Sequence, residues 1–396
     1  MTALFALAVS LHWDFEGGSL GRVETVAPTH FRAHLAGQTD QDGRNRQANW
    51  YFFRVDGAKD AEVAIDLVDL PGEYNYKSNR GAVTKDTVPV WSEDRRTWRH
   101  FDSTEFDDAE PRLRLRIKPQ SDQFWIAHVP PYTNQNLTAL LAEFKANRSL
   151  RVESVGRSVG GRDIPLLTIT DLRAPDSGKR VAWLMFRQHS WETGSSWAGE
   201  GAVRFLLSDA SDAAAIRRTT IVKIYPLCDP DGTASGALRF NAHGYDLNRN
   251  WDVDDSPKMP EIAAQRRAIV NWVDSGHRLD LFLSVHNTET GEYLEAPPGD
   301  NAAHWSLAER FFAALEEHST FAPTRKLFRA EATTTAGKAG RMTVSQGLYD
   351  RRRMPAFIME QMIAKNPRLG RLPTVEDRMK FGEGLVRAAA TAIRRD

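Results

Sequence analysis

Near Pro131 the chain changes its repeat, and that change limits the folds open to it. Before it, short apolar segments follow one another between turn residues: residues 49–55 (NWYFFRV), 61–70 (AEVAIDLVDL), 111–118 (PRLRLRIK) and 124–129 (FWIAHV). Each has the length and the bounding residues of a β-strand. Leu113, Leu115 and Ile117 alternate with Arg112, Arg114 and Arg116, the pattern of a sheet with one dry and one wet face. After Pro131, strand candidates at 180–186, 219–227, 280–285 and 356–359 are interspersed with helix candidates at 136–144, 261–273, 304–317 and 375–394. Ala308, Phe311, Phe312 and Leu315 share one helical face, and Gly276 stands in the C-cap region of the 261–273 helix. The expected fold is an N-terminal antiparallel β-sandwich over residues 1–135. A mixed-sheet α/β domain over 136–396 follows, with helices on both faces of an open sheet.

A chain of 396 residues has core enough for both parts. Lys+Arg and Asp+Glu number 52 each, a formal net charge of zero. A phosphate backbone calls for concentrated positive charge, so no nucleic-acid partner is expected. The single cysteine, Cys228, excludes an internal disulfide and a cysteine-based zinc cage. It ends the apolar stretch 221–227 and is expected to be a buried small hydrophobe. The opening MTALFALAVSLHWDF has an apolar run about half the ~20 residues of a membrane span, and no basic n-region. It reads as a first strand. No membrane span and a cytoplasmic location are expected, or a secreted or periplasmic one if the start site clips a leader.

In open α/β sheets, sites form beyond the carboxyl ends of strands. His189 and Glu192 follow the first strand candidate of the second half, His286 ends the 280–286 run DLFLSVH, and Glu360 ends AFIME. Catalytic zinc takes three protein ligands, often two histidines and a carboxylate, and keeps one position for water. His189, Glu192 and His286 have that composition. Glu360, leaving an apolar strand, suits a proton carrier with a raised pKa, unless one of Arg351 to Arg353 neutralises it. Asp246, Asn248 and Arg249 lie in the polar segment between Tyr245 and Trp251. Arginine grips a carboxylate with two parallel bonds, and asparagine adds a neutral donor. Asp229-Pro230-Asp231-Gly232 is turn chemistry after a strand.

Taken together, HSWETGSSW, DPDG, DLNRNW and a late strand ending in glutamate resemble the zinc metallocarboxypeptidases. The resemblance is narrower still to the cytosolic carboxypeptidase branch, in which a β-sandwich precedes the catalytic domain; NWYFFRV and FWIAHVPPYT are similar to its characteristic segments. It implies one Zn2+ ion held by His189, Glu192 and His286, and Glu360 as the general acid/base. It implies that Asn248 and Arg249 bind the substrate's terminal carboxylate, and that Asp246 orients the first histidine ligand. Arg239 falls near the family arginine that polarises the scissile carbonyl.

The implied activity is hydrolysis of the C-terminal peptide bond of a peptide or protein by a Glu-activated, zinc-bound water. Two alternatives stay open: a zinc amidase or deacylase acting on N-acyl amino acids, and a non-catalytic peptide-binding protein. The chain departs from the branch in places. It has His189-Ser190-Trp191-Glu192 where the branch has His-Pro-Gly-Glu, and DPDG for NPDG. TTTAGKAGRM stands where digestive members carry a tyrosine, and Tyr349 is not assigned that role. Lys338, Arg341 and Arg351 to Arg353 are candidates for a basic pocket, with solvated surface charge as the plainer account.

Overall fold

The computed structural model describes residues 8–254, 256–331 and 339–394. The chain divides into two compact units, Met1–Pro131 with Gly232–Phe240, and Tyr132–Asp231 with Asn241–Asp396.

The first unit is built on two five-stranded sheets. One runs Ser10–His12, Phe52–Asp56, Gln123–Ala127, Val90–Ser92, Arg99–His100, antiparallel throughout. The other runs Glu105–Asp107, Arg112–Ile117, Val63–Val68, His30–His34, Val23–Ala27. Alternate residues of both sheets form one core: Phe53, Val55, Phe124 and Ile126 pack with Ile65, Leu67, Leu113 and Leu115. The sandwich departs from a wholly antiparallel one at His30–His34 beside Val63–Val68, which pair in parallel. Parallel neighbours need a long crossover, and the chain between them supplies it by passing through the first sheet at Phe52–Asp56. Opposite the core, Arg114 grips Asp66 through Nε at 2.6 Å and Nη2 at 2.9 Å. The segment 232–240 joins this unit through the Gly17 N–H, which donates to the Ala234 carbonyl at 3.0 Å, and through the Gln38 side chain. Gln38 Oε1 accepts the N–H groups of Leu238, Arg239 and Phe240, and its Nε2 donates to the Phe240 carbonyl at 2.8 Å.

The second unit has an eight-stranded sheet in the order Leu150–Arg157, Asp163–Ile169, Thr220–Tyr225, Arg180–Phe186, Leu281–Thr288, Ala356–Met362, Tyr293–Ala296, Phe328–Arg329. The middle four are parallel, and their mainly apolar runs reflect burial on both faces, with Lys223 and Ser284 as buried polar exceptions. Ala182, Leu184, Phe186, Leu283, Val285, Phe357 and Met359 face a core shared with the helices Thr193–Leu207, Ala302–His318 and Val375–Ile393. Trp183, Met185, Tyr225, Phe282 and Ile358 face the other, with Trp251 and the helices Pro260–Asp274 and Val344–Arg352. Cys228 is fully buried, and burial pushes its thiol well above the ordinary value.

From Arg180–Phe186 the chain goes to Thr220–Tyr225 on one side and returns to Leu281–Thr288 on the other. That reversal opens a crevice at the carboxyl ends of the two strands. The strands run past the expected ends, to Thr288 and Met362, because the ladder continues as His286–Glu360, Asn287–Gln361 and Thr288–Met362. A polar side chain leaves the ladder intact when it leans off one face and the backbone still pairs. The helices Thr193–Leu207 and Val375–Ile393 cross in close backbone contact: a methyl at Gly382 would overlap the Ala198 carbonyl, and one at Gly201 the Met379 carbonyl. Among the described residues, no helix is long and apolar enough to cross a membrane.

Candidate active site

Beyond Phe186 the chain turns sharply at Arg187, whose φ is 62°. This arginine is buried, its Nε donating to the Ser190 carbonyl at 2.7 Å and its Nη1 to the Tyr132 carbonyl at 3.2 Å. Burial draws its pKa down to about 10, with the charges of Asp229 and Glu192 acting against that fall. Ser190 donates to Asp229 at 2.8 Å, so the DPDG turn clamps the turn that holds His189. The helix Thr193–Leu207 starts directly after Glu192, and the Ser195 N–H donates to Asn287, next to His286, at 2.8 Å.

These supports bring three buried side chains together. His189 Nδ1 lies 2.7 Å from Glu192 Oε1, and His286 Nδ1 lies 2.9 Å from Glu192 Oε2. Their candidate ligand atoms all fall within 4.8 Å of one another. Each imidazole is held from behind. His189 Nε2 lies 3.0 Å from Asp246 Oδ1. His286 Nε2 lies 3.1 Å from Gln188 Oε1 and 3.0 Å from Ser284 Oγ. Gln188 Nε2 donates to the Leu247 carbonyl at 2.7 Å, which fixes its oxygen toward His286. Both outer nitrogens therefore carry the proton, and both Nδ1 atoms turn a lone pair toward a carboxylate. Two lone pairs and an anion at hydrogen-bond distance need a cation between them. The donor set fits Zn2+, with three protein ligands of the types that catalytic sites use.

Glu360 stands beside His286 in the parallel ladder and opposite Tyr293 in the antiparallel one. Registered partners share a face, so Glu360 belongs to the same side of the sheet as His286. Asn248 Oδ1 accepts the Val344 N–H at 3.0 Å, which leaves its Nδ2 3.3 Å from His286 Nε2. Arg249 is half-buried and donates to the Asn248 carbonyl at 2.8 Å. The Asp246 carboxylate also accepts the Asn248 N–H at 2.8 Å, so one residue ties the histidine to this loop.

Of the expected residues, His189, Glu192, His286, Asp246, Asn248, Arg249 and Glu360 thus gather at one end of the second unit's sheet. Arg239 belongs to the segment Gly232–Phe240, which groups with the first unit. Arg351 and Arg352 are engaged by Asp254 at 3.2 Å and Asp274 at 2.7 Å, and Arg353 stacks over Tyr349. Three arginines in a row at a helix end fan outward, and neither a basic pocket nor a partner for Glu360 comes from these contacts. Lys338 lies outside the described residues. Four residues near the site were not expected from the sequence: Gln188, Tyr293, Glu295 and Arg325. Gln188 sits directly before His189, its one sequence signal; Tyr293 and Glu295 enter through a strand, Tyr293–Ala296, that carries no motif, and Arg325 lies just ahead of Phe328–Arg329.

The zinc carboxypeptidase family profile matches residues 137–356, more than half of the chain, and the cytosolic carboxypeptidase N-terminal domain profile matches residues 11–129. The chain belongs to the zinc carboxypeptidase family. An uncharacterised protein of Zymomonas mobilis is 30% identical over 285 residues, covering 72% of this chain and 68% of its own. Mouse cytosolic carboxypeptidase 6 is 28% identical over 288 residues, covering 70% of this chain. The chain spans 52% of that relative and 37% of mouse cytosolic carboxypeptidase 2. The fold is that of a metallo-carboxypeptidase from Burkholderia cenocepacia, with a TM-score of 0.82, 22% identity, and coverage of 97% of this chain and 99% of the other. One from Pseudomonas aeruginosa gives a TM-score of 0.80 at 23% identity, covering 97% and 100%. Zinc carboxypeptidases are hydrolases, and the His189–Glu192–His286 cluster is this chain's candidate for the family's metal.

Proposed function

We propose that this zinc carboxypeptidase family member hydrolyses the C-terminal peptide bond of peptides or proteins. The observation that carries the proposal is the pair of imidazole Nδ1 atoms converging on Glu192, with Glu360 on the adjoining strand and Arg249 and Asn248 on the loop behind. His189, Glu192 and His286 would hold one Zn2+. When bound, zinc supplies a Lewis acid and lowers the pKa of water from 15.7 toward about 7. Arg249 and Asn248 dock the free terminal carboxylate, which fixes the last peptide bond relative to Glu360 and limits attack to that bond. Glu360 takes a proton from the attacking water as the C–O bond forms, then gives it to the leaving amine as the C–N bond breaks. Tyr293, opposite Glu360, lines the same face and supports a role in substrate contact.

The test is mass spectrometry of a mixed peptide library incubated with zinc-loaded protein, with Glu360→Gln as control. Loss of C-terminal residues is expected, slowed about 10²–10⁴-fold in the variant. Internal cleavage, or equal turnover by the variant, defeats the proposal.

A further inference from the structure

One carboxylate on the same face has no part in the mechanism above. Glu295 pairs with Ile358 in the antiparallel ladder, two residues along from the Tyr293–Glu360 pair. Residues two apart on a strand share a face, so Glu295 lies on the side of the sheet that carries Glu360 and His286. Its hydrogen-bond contact is Ser345 Oγ at 3.5 Å, at the outer limit for such a bond. Burial raises its pKa to about 7; Arg325 and Arg249 pull the other way, and Glu331 adds to the rise. Arg325 is already stacked on the rings of Tyr293 and Phe328, at 3.7 and 3.8 Å. Arg249, in the docking described above, is taken by the substrate's carboxylate. A weakly bonded acid is thus left beside the place where the terminal residue's side chain begins, because that residue's α-carbon is one bond from the carboxylate that Arg249 holds. A buried negative charge calls for a cation.

We propose that Glu295 selects substrates ending in lysine or arginine, its carboxylate accepting the ammonium or guanidinium of that last side chain. The inference rests on the carboxypeptidase reading and adds the substrate class to it. A plainer role for Glu295 would be to steady Arg249, and the two differ in what they predict. Steadying Arg249 affects every C-terminal residue alike, whereas selection changes the ratio between residues.

The experiment measures kcat/KM for peptides identical except for a last residue of arginine, lysine, leucine or glutamate, with wild-type protein and with Glu295→Gln. Equilibrium binding of the same peptides is measured alongside by calorimetry on Glu360→Gln protein, with and without the Glu295 change. Wild-type protein should prefer the basic ends over leucine by about ten- to a hundred-fold, and the ratio should collapse toward one in Glu295→Gln. A preference for glutamate, or a basic-to-leucine ratio unchanged by the substitution, overturns the proposal. Should no peptide be cut, the carboxypeptidase reading fails by itself, and the calorimetric ratio decides the role of Glu295. If Glu295→Gln does not fold, the wild-type ratios still decide, since absence of a basic preference refutes selection.

Discussion

Asp246 holds two things at once, the outer nitrogen of His189 and the N–H of Asn248. In Asp246→Asn the charge behind the imidazole is lost, and His189 becomes a poorer ligand. We expect zinc affinity to fall about 10–100-fold, read by competition with a chromophoric chelator. Glu295 gives a different readout. Its carboxyl, ordinarily at 4.5, sits at about 7 in the folded protein. Between those values the folded chain keeps a proton that the unfolded chain has lost, so stability falls as pH rises from about 4.5 to 7. The full effect is roughly 3 kcal/mol at most, since Glu295 keeps some contact with solvent. Urea unfolding at pH 5 and pH 8 should show Glu295→Gln losing less stability across the interval than wild type; equal losses would mean that the acid titrates normally.

The helix Thr193–Leu207 sets where Glu192 stands, and its position depends on the crossing with Val375–Ile393. Because a methyl at Gly382 meets the Ala198 carbonyl, Gly382→Ala must push the helices apart. A loss of about 1–3 kcal/mol in urea unfolding is expected, with weaker zinc binding alongside; wild-type stability would mean that the crossing yields freely. This contact could not be read from the sequence, since Gly382 looks like any glycine in a helical run. The strands were legible, because Arg180–Phe186 and its neighbours carry mainly apolar runs. Their ends were not: in the sequence His286 and Glu360 read as strand ends, while the ladder runs on beneath them. The ligand set was legible because histidine and carboxylate have few uses after a buried strand. Glu295 was not, because one glutamate in YLEA gains meaning only when Tyr293–Ala296 is laid against Ala356–Met362.

For the molecule as a whole, the buried Glu192 carboxylate makes the fold and the metal interdependent. A ligand that binds only the folded state adds to its stability in proportion to the logarithm of its concentration over Kd. Chelation should therefore lower the thermal midpoint, and added Zn2+ should restore it; a midpoint indifferent to chelator would remove the metal from the account. The two compact units also differ from the two halves into which the sequence divides at Pro131. Residues 232–240 are encoded in the middle of the second unit and grouped with the first, where the Gln38 carboxamide meets four of their backbone groups. A ribosome that has released the first 131 residues has not yet supplied everything the sandwich uses. A fragment stopped there would leave that carboxamide to water. Anyone exchanging the N-terminal unit for that of a relative would have to move the short strip along with it, at three junctions rather than one.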